Sequence, residues 1–181
     1  MDEYVGISKD APQAFSNFLK DRIFSKVPFK SVNYIDVSAK DPEKECERYA
    51  ALLKQYPADI VFMGIGENGH IAFNDPPVAD FNDKKVVKVV ELDQKCRQQQ
   101  VNDGCFATLD EVPKYAITLT IPTLMSVDYI FCMVPGKTKT EAVTNTLKGE
   151  ISTACPASIL RTHKNATLYI DKDSGKDVLE E

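Results

Sequence analysis

The chain has 181 residues, 43% apolar and 27% charged, with a formal net charge of −5. That is the composition of one globular domain with room for a sizeable core. The charge gives no electrostatic reason to expect nucleic acid, and no apolar run has the length of a membrane span. A local cluster of Lys or Arg can still bind an anionic small molecule on an acidic protein.

At the start of the chain, Met1-Asp2-Glu3-Tyr4 shows no basic segment followed by an apolar one, so no signal peptide is expected. No strand or helix precedes Asp2 and Glu3, which points to a missing upstream segment and a loosely held acidic pair. Residues 12–26 read as a helix with Phe15, Phe18, Leu19 and Phe24 broadly on one side. Residues 32–37 read as a strand. Residues 42–56 read as a helix, capped by Asp41 with Pro42 in its first turn and with Tyr49, Leu52 and Leu53 as its inner stripe. Further strands are expected at 59–64, 86–92, 115–121, 129–134 and 166–170, and further helices at 93–101 and 138–147. Residues 76–85 read as a long loop. Several strand runs are nearly continuous, which suits strands buried on both faces of a mostly parallel sheet. The expected fold is a single α/β domain over residues 1–181, a mostly parallel open sheet flanked by helices. Cys46, Cys96, Cys105, Cys132 and Cys155 are scattered and odd in number, so reduced thiols and a cytoplasmic location are expected.

The most informative stretch is residues 64–76, Gly-Ile-Gly-Glu-Asn-Gly-His-Ile-Ala-Phe-Asn-Asp-Pro. A buried strand runs into a turn with three glycines and then a polar cluster. Ligands bind beyond the carboxyl ends of strands in open α/β sheets. The Gly-x-Gly-x-x-Gly spacing also occurs in dinucleotide sites, but no helix clearly follows here, which argues against a nicotinamide cofactor. A metal site on Asp2, Glu3, His70 and Asp75 is a weaker alternative, because the spacing is not a compact ligand pattern.

The whole stretch resembles the signature of glucosamine-6-phosphate deaminases. Asp2-Glu3-Tyr4-Val5-Gly6 and residues 111–120, Glu-Val-Pro-Lys-Tyr-Ala-Ile-Thr-Leu-Thr, are similar to two further segments of that family. The sister phosphogluconolactonases share the fold and a Gly-His loop but lack the Ile-x-Phe-Asn continuation. The resemblance implies a Rossmann-like fold. It also implies conversion of glucosamine 6-phosphate to fructose 6-phosphate and ammonia without metal or cofactor. It assigns Asp2 to the C2 proton and His70 to ring opening, with Asn68 and Asp75 tuning the histidine. Gly66, Gly69, Ala72 and Lys139 fall at substrate-binding positions, with Lys139 on phosphate and Lys137 as its fallback. A phosphorylated amino sugar is the expected partner. Family members form homo-oligomers, although no residue here specifies one.

Three departures stand out. About a quarter of the family's usual chain, including a phosphate loop, is absent upstream. Gln100 stands where the family has a phosphate-gripping arginine, with Arg97 one turn earlier as a substitute. Asp75 stands where the family has Glu, one methylene longer. Two other readings follow: a non-catalytic phosphosugar-binding module, and a 6-phosphogluconolactonase-like hydrolase.

Overall fold

In the computed structural model, which describes residues 1–179, six strands divide into two sheets. β1 (Asp2–Tyr4), β3 (Val87–Glu91) and β4 (Tyr115–Leu119) make a sheet in the order β1-β4-β3, antiparallel throughout. β2 (Ile60–Met63), β5 (Tyr129–Val134) and β6 (Ala166–Ile170) make a parallel sheet in the order β2-β5-β6. The helices are α1 (Phe15–Leu19), α2 (Pro42–Gln55), α3 (Gln94–Asn102), α4 (Ile121–Met125), α5 (Thr140–Lys148) and α6 (Lys176–Leu179). The α/β class is the expected one. The antiparallel direction of the β1-β4-β3 sheet departs from the mostly parallel sheet expected, because an apolar run reads alike in either direction.

The element boundaries follow from local chemistry. Asp41 caps α2 by accepting from the Glu43 and Lys44 N–H groups, and Pro42 sits where a missing N–H does no harm. The helix expected over 12–26 is broken in two. α1 is followed by a π-helical turn at Lys20–Phe24. Phe18, Leu19 and Ile23 in this region remain exposed. The strand expected over 32–37 does not form. Its main-chain groups are answered by side chains of α2 instead: Glu45 accepts from the Asp36 N–H at 2.7 Å, and Arg48 donates to the Tyr34 carbonyl at 2.9 Å. With those partners taken, the segment has no ladder to join.

The start of the chain is firmly held, against the expectation of a loose acidic pair. Asp2 faces Thr118, Glu3 faces Ile117 and Tyr4 faces Ala116 in the β1–β4 ladder. The Leu119 N–H donates to the Met1 carbonyl, and the Val5 N–H to the Tyr115 carbonyl, each at 2.9 Å. Tyr4 is buried against Phe15, Phe73 and Phe106, with ring centroids 5.0, 5.4 and 5.5 Å away. Burying such a ring stabilises the fold by roughly 1.5–3 kcal/mol. Glu3, 2% exposed, accepts from the N–H groups of Tyr4 and Phe15 at 3.0 Å and of Ser16 at 2.8 Å. It therefore ties β1 to the start of α1 and serves structure rather than chemistry.

The main core gathers Ile71, Ile121, Leu124, Ile130 and Val143. One face of the parallel sheet carries exposed Ile60, Phe62, Tyr129, Met133 and Tyr169, and Phe62 stacks on Phe131 at 5.3 Å.

The Glu3 cap gives a first prediction. Glu3→Ala leaves three buried or half-buried N–H groups without an acceptor, and should destabilise the fold by about 1–3 kcal/mol in denaturant unfolding. A variant as stable as the parent would contradict the cap.

Candidate active site

β2 ends at Met63, and residues 64–75 turn back over the carboxyl ends of β2 and β5. The return is set by backbone bonds: the Gly66 N–H donates to the His70 carbonyl at 2.9 Å, and the Gly69 N–H to the Gly66 carbonyl at 3.0 Å. Gly69 has φ +84°, a conformation that L side chains rarely adopt. At Gly66 the limit is space, because a Cβ would lie 2.1–2.4 Å from the His70 ring. Ala72 holds a positive φ of 49°, a strained position beside the cleft.

β4 brings the loop to β1. The Phe73 N–H donates to Thr118 Oγ1 at 3.1 Å, and Asn74 Nδ2 donates to the Leu119 carbonyl at 2.9 Å. Thr118 is also the ladder partner of Asp2. One residue thus fixes both the loop and the strand, and Asp2 and His70 line the same cleft.

His70 Nδ1 lies 2.8 Å from Asn68 Oδ1 and 2.9 Å from Asp75 Oδ1. Two acceptors at one ring nitrogen assign the proton to Nδ1 and leave Nε2 free for a ligand. Asn68 Nδ2 donates to Asp75 Oδ1 at 3.0 Å, and Asn68 Oδ1 accepts from the His70 N–H at 3.1 Å, which fixes the orientation of the amide. The shorter Asp75 side chain reaches the histidine, which resolves the question raised by its length.

Burial alone would raise the Asp75 carboxyl. The bonds and charge of His70, the Asn68 amide and the Asp93 N–H outweigh it, so the carboxyl lies below its usual range. Asp2 shows the reverse. Burial pushes its carboxyl up, and the N-terminal amine and His70 only partly offset this.

The cleft is about 840 Å³, within the range of small-ligand sites. Asp2, Gly66, His70, Ala72, Gln100 and Lys139 line it. Lys139 ends a short 3-10 turn after β5 and is half-buried, while Lys137 is exposed. Burial lowers the Lys139 ammonium, and Glu67 and Asp103 push back. Gly69, expected at a substrate-binding position, and Asn68 do not line this cleft but border the neighbouring groove beside Asp93 and Gln94.

Arg97 is not brought to the cleft, which corrects its expected substrate-binding place. Its guanidinium donates to the Leu109 and Val112 carbonyls, and those two bonds hold it against the loop that follows α3. Gln99, absent from the sequence reading, holds the loop by accepting from the Glu67 N–H at 3.0 Å. Asp93 and Cys96 also join the site from α3. Only their position just before and within a helix that follows a strand could have drawn attention to them. The three acids and one histidine weighed as a metal set do not converge, since Glu3 is engaged at α1. Among the described residues, His70, Asp75 and Cys96 place ligand atoms within 4.8 Å of one another, but the His70 and Asp75 atoms already bond each other.

Asp2 generates a pH prediction. Its folded pKa lies above the unfolded value of about 3.9. The folded state therefore binds the extra proton between the two values, and stability falls as pH rises through that window. Asp2→Asn should be more stable than the parent at pH 7, with the gap closing below about pH 4. Melting curves across pH would refute this if the variant were less stable at neutral pH.

Comparison with known proteins gives a consistent picture. The family model described as glucosamine-6-phosphate isomerases/6-phosphogluconolactonase matches residues 2–169. The chain is 37% identical over 174 residues to a glucosamine-6-phosphate deaminase of Bacillus cytotoxicus, covering 96% of this chain and 64% of the relative. It is 39% identical over 171 residues to one of Exiguobacterium sp., covering 94% and 65%. The chain thus spans just under two thirds of the length of these relatives. Among solved structures, a monomeric glucosamine-6-phosphate deaminase superposes with a TM-score of 0.89 at 37% identity, over 97% of this chain and 72% of that one. A 6-phosphogluconolactonase from Trypanosoma brucei, 19% identical over 98% and 72%, shares the fold with a TM-score of 0.76.

Proposed function

Since the chain belongs to the glucosamine-6-phosphate isomerase/6-phosphogluconolactonase family, we propose that it deaminates and isomerises glucosamine 6-phosphate to fructose 6-phosphate and ammonia. The observation that supports this most is the meeting of Asp2 with the His70–Asp75 pair in one cleft. An amino-sugar phosphate needs a proton moved at its ring oxygen and another moved from C2 to C1. Two separate acid/base groups suit those two tasks.

In this reading His70, held by Asp75 and Asn68, uses Nε2 to carry a proton to the ring oxygen as the ring opens. Asp2 then removes the C2 proton and returns it at C1. The product is the imine of the ketose at C2, which water hydrolyses to fructose 6-phosphate and ammonia. Lys139 at the cleft supplies the charge that receives the phosphate, and Gln100 adds a neutral amide where an arginine would have given a second charge. The Asp2 environment fits its role, because a carboxylate with a raised pKa is a stronger base. Lactone hydrolysis, the alternative within the family, would use the His70–Asp75 pair to activate water but gives Asp2 no task.

Ammonia release from glucosamine 6-phosphate, followed by a coupled assay, tests the proposal. Asp2→Asn should lower kcat by about 10²–10⁴-fold with KM little changed. Hydrolysis of 6-phosphogluconolactone that survives Asp2→Asn, without any ammonia release, would favour the lactonase reading. Lys139→Met should instead raise KM for the phosphorylated sugar about tenfold or more while kcat stays within a few-fold of the parent. An unchanged KM would remove Lys139 from phosphate binding.

A further inference from the structure

Asp75 has no exposure to solvent, so its carboxylate oxygens must find their donors inside the protein. A carboxylate offers about four acceptor positions. Oδ1 accepts from His70 Nδ1 at 2.9 Å and from Asn68 Nδ2 at 3.0 Å, and Oδ2 accepts from the Asp93 N–H at 3.2 Å. One position on Oδ2 remains. The same helix start that supplies the Asp93 N–H carries Cys96 in the first turn of α3. Cys96 is 1% exposed, and its Sγ lies within 4.8 Å of both an Asp75 oxygen and a His70 ring nitrogen.

We propose that Cys96 is a positioning residue for the His70–Asp75 pair, its thiol donating to the open side of the Asp75 carboxylate. The inference deepens the reading of His70 as an acid/base group and rests on it only for its kinetic consequence. The thiol acts as a donor because it stays protonated. Burial first, and then the negative charge of Asp75, push it far above its ordinary value. The other groups around it point the same way: Asp2 from β1 and Asp93 from α3 are acidic, and Tyr4 beside it stays a neutral phenol. Two basic groups also reach this cluster: Lys139 interacts with Cys96, and the N-terminal amine acts on Asp2. A thiol is a weak donor, so it completes the shell around Asp75 without competing with the His70 Nδ1 bond.

The alternative is that Cys96 only fills space in the aromatic cluster of Tyr4, Phe73 and Phe106. Cys96→Ser keeps a donor and Cys96→Ala removes it, so the pair separates the two roles. The chain has two histidines, His70 and His163, so ¹⁵N-histidine labelling gives a spectrum of two rings with His163 as internal reference.

In Cys96→Ala the His70 Nδ1 proton should shift and exchange faster while His163 does not move. kcat should fall by about two- to fivefold, because an Asp75 with one donor fewer holds the His70 ring less firmly in its working orientation. KM should stay within about twofold, and Cys96→Ser should restore most of both effects. A parental His70 resonance in Cys96→Ala overturns the proposal. So does Cys96→Ser changing as much as Cys96→Ala at matched thermal stability, since that is the behaviour of packing alone. The resonance needs no substrate, so it decides the matter even in a chain that releases no ammonia.

Discussion

A carboxylate sealed from water must be surrounded by donors, and the architecture around Asp75 is arranged to meet that demand. The donors come from the loop after β2, through His70 and Asn68, and from the start of α3, through the Asp93 N–H. Meeting them requires the loop to fold back on itself and α3 to begin at one particular place. Gly66 leaves the imidazole its space, Gly69 supplies the turn, and Gln99 pins the loop from below. Removing any of these leaves a buried charge without full support, which is among the costlier defects a fold can carry.

The second acid sits under opposite physics. Asp75 is stabilised as an anion, whereas Asp2 is pushed toward its neutral form by burial. The two carboxylates occupy one site with their affinities for protons driven apart, a pattern that suits an acid/base pair with distinct tasks. The tension at Asp2 works against folding at neutral pH. It is sustained by what surrounds it: the ladder to β4, the Tyr4 ring among three aromatics, and the Glu3 carboxylate on α1.

Much of this was legible in the chain itself. The long loop string announced His70, Asn68 and Asp75, and the apolar runs placed five strands to within a residue or two. What escaped was set by partners distant in sequence. Residues 32–37 have strand composition, but Glu45 and Arg48 on α2 take their main-chain groups. β1 is too short to show a period, and its order comes from β4, more than a hundred residues later. Arg97 looked available for phosphate because spacing along a helix does not say which carbonyls lie opposite it. Cys96 carried no signal beyond its place in a helix that follows a strand, since a single thiol gains its meaning from the groups packed around it.

Adjacent residues in a strand point to opposite sides, and β1 uses both sides at once. Asp2 turns toward the cleft while Glu3 turns to α1, so the two acids are told apart only by alignment against Thr118 and Ile117. A shift of one residue would exchange them, presenting the longer side chain to the cleft and stripping α1 of its acceptor. The strand therefore works as a ruler as well as a scaffold. Length changes between Tyr4 and Phe15 can be absorbed by the loop that joins them. The spacing from Asp2 to Tyr4 cannot stretch by a single residue, because the aromatic seat of Tyr4 sets the zero mark from which Asp2 is measured.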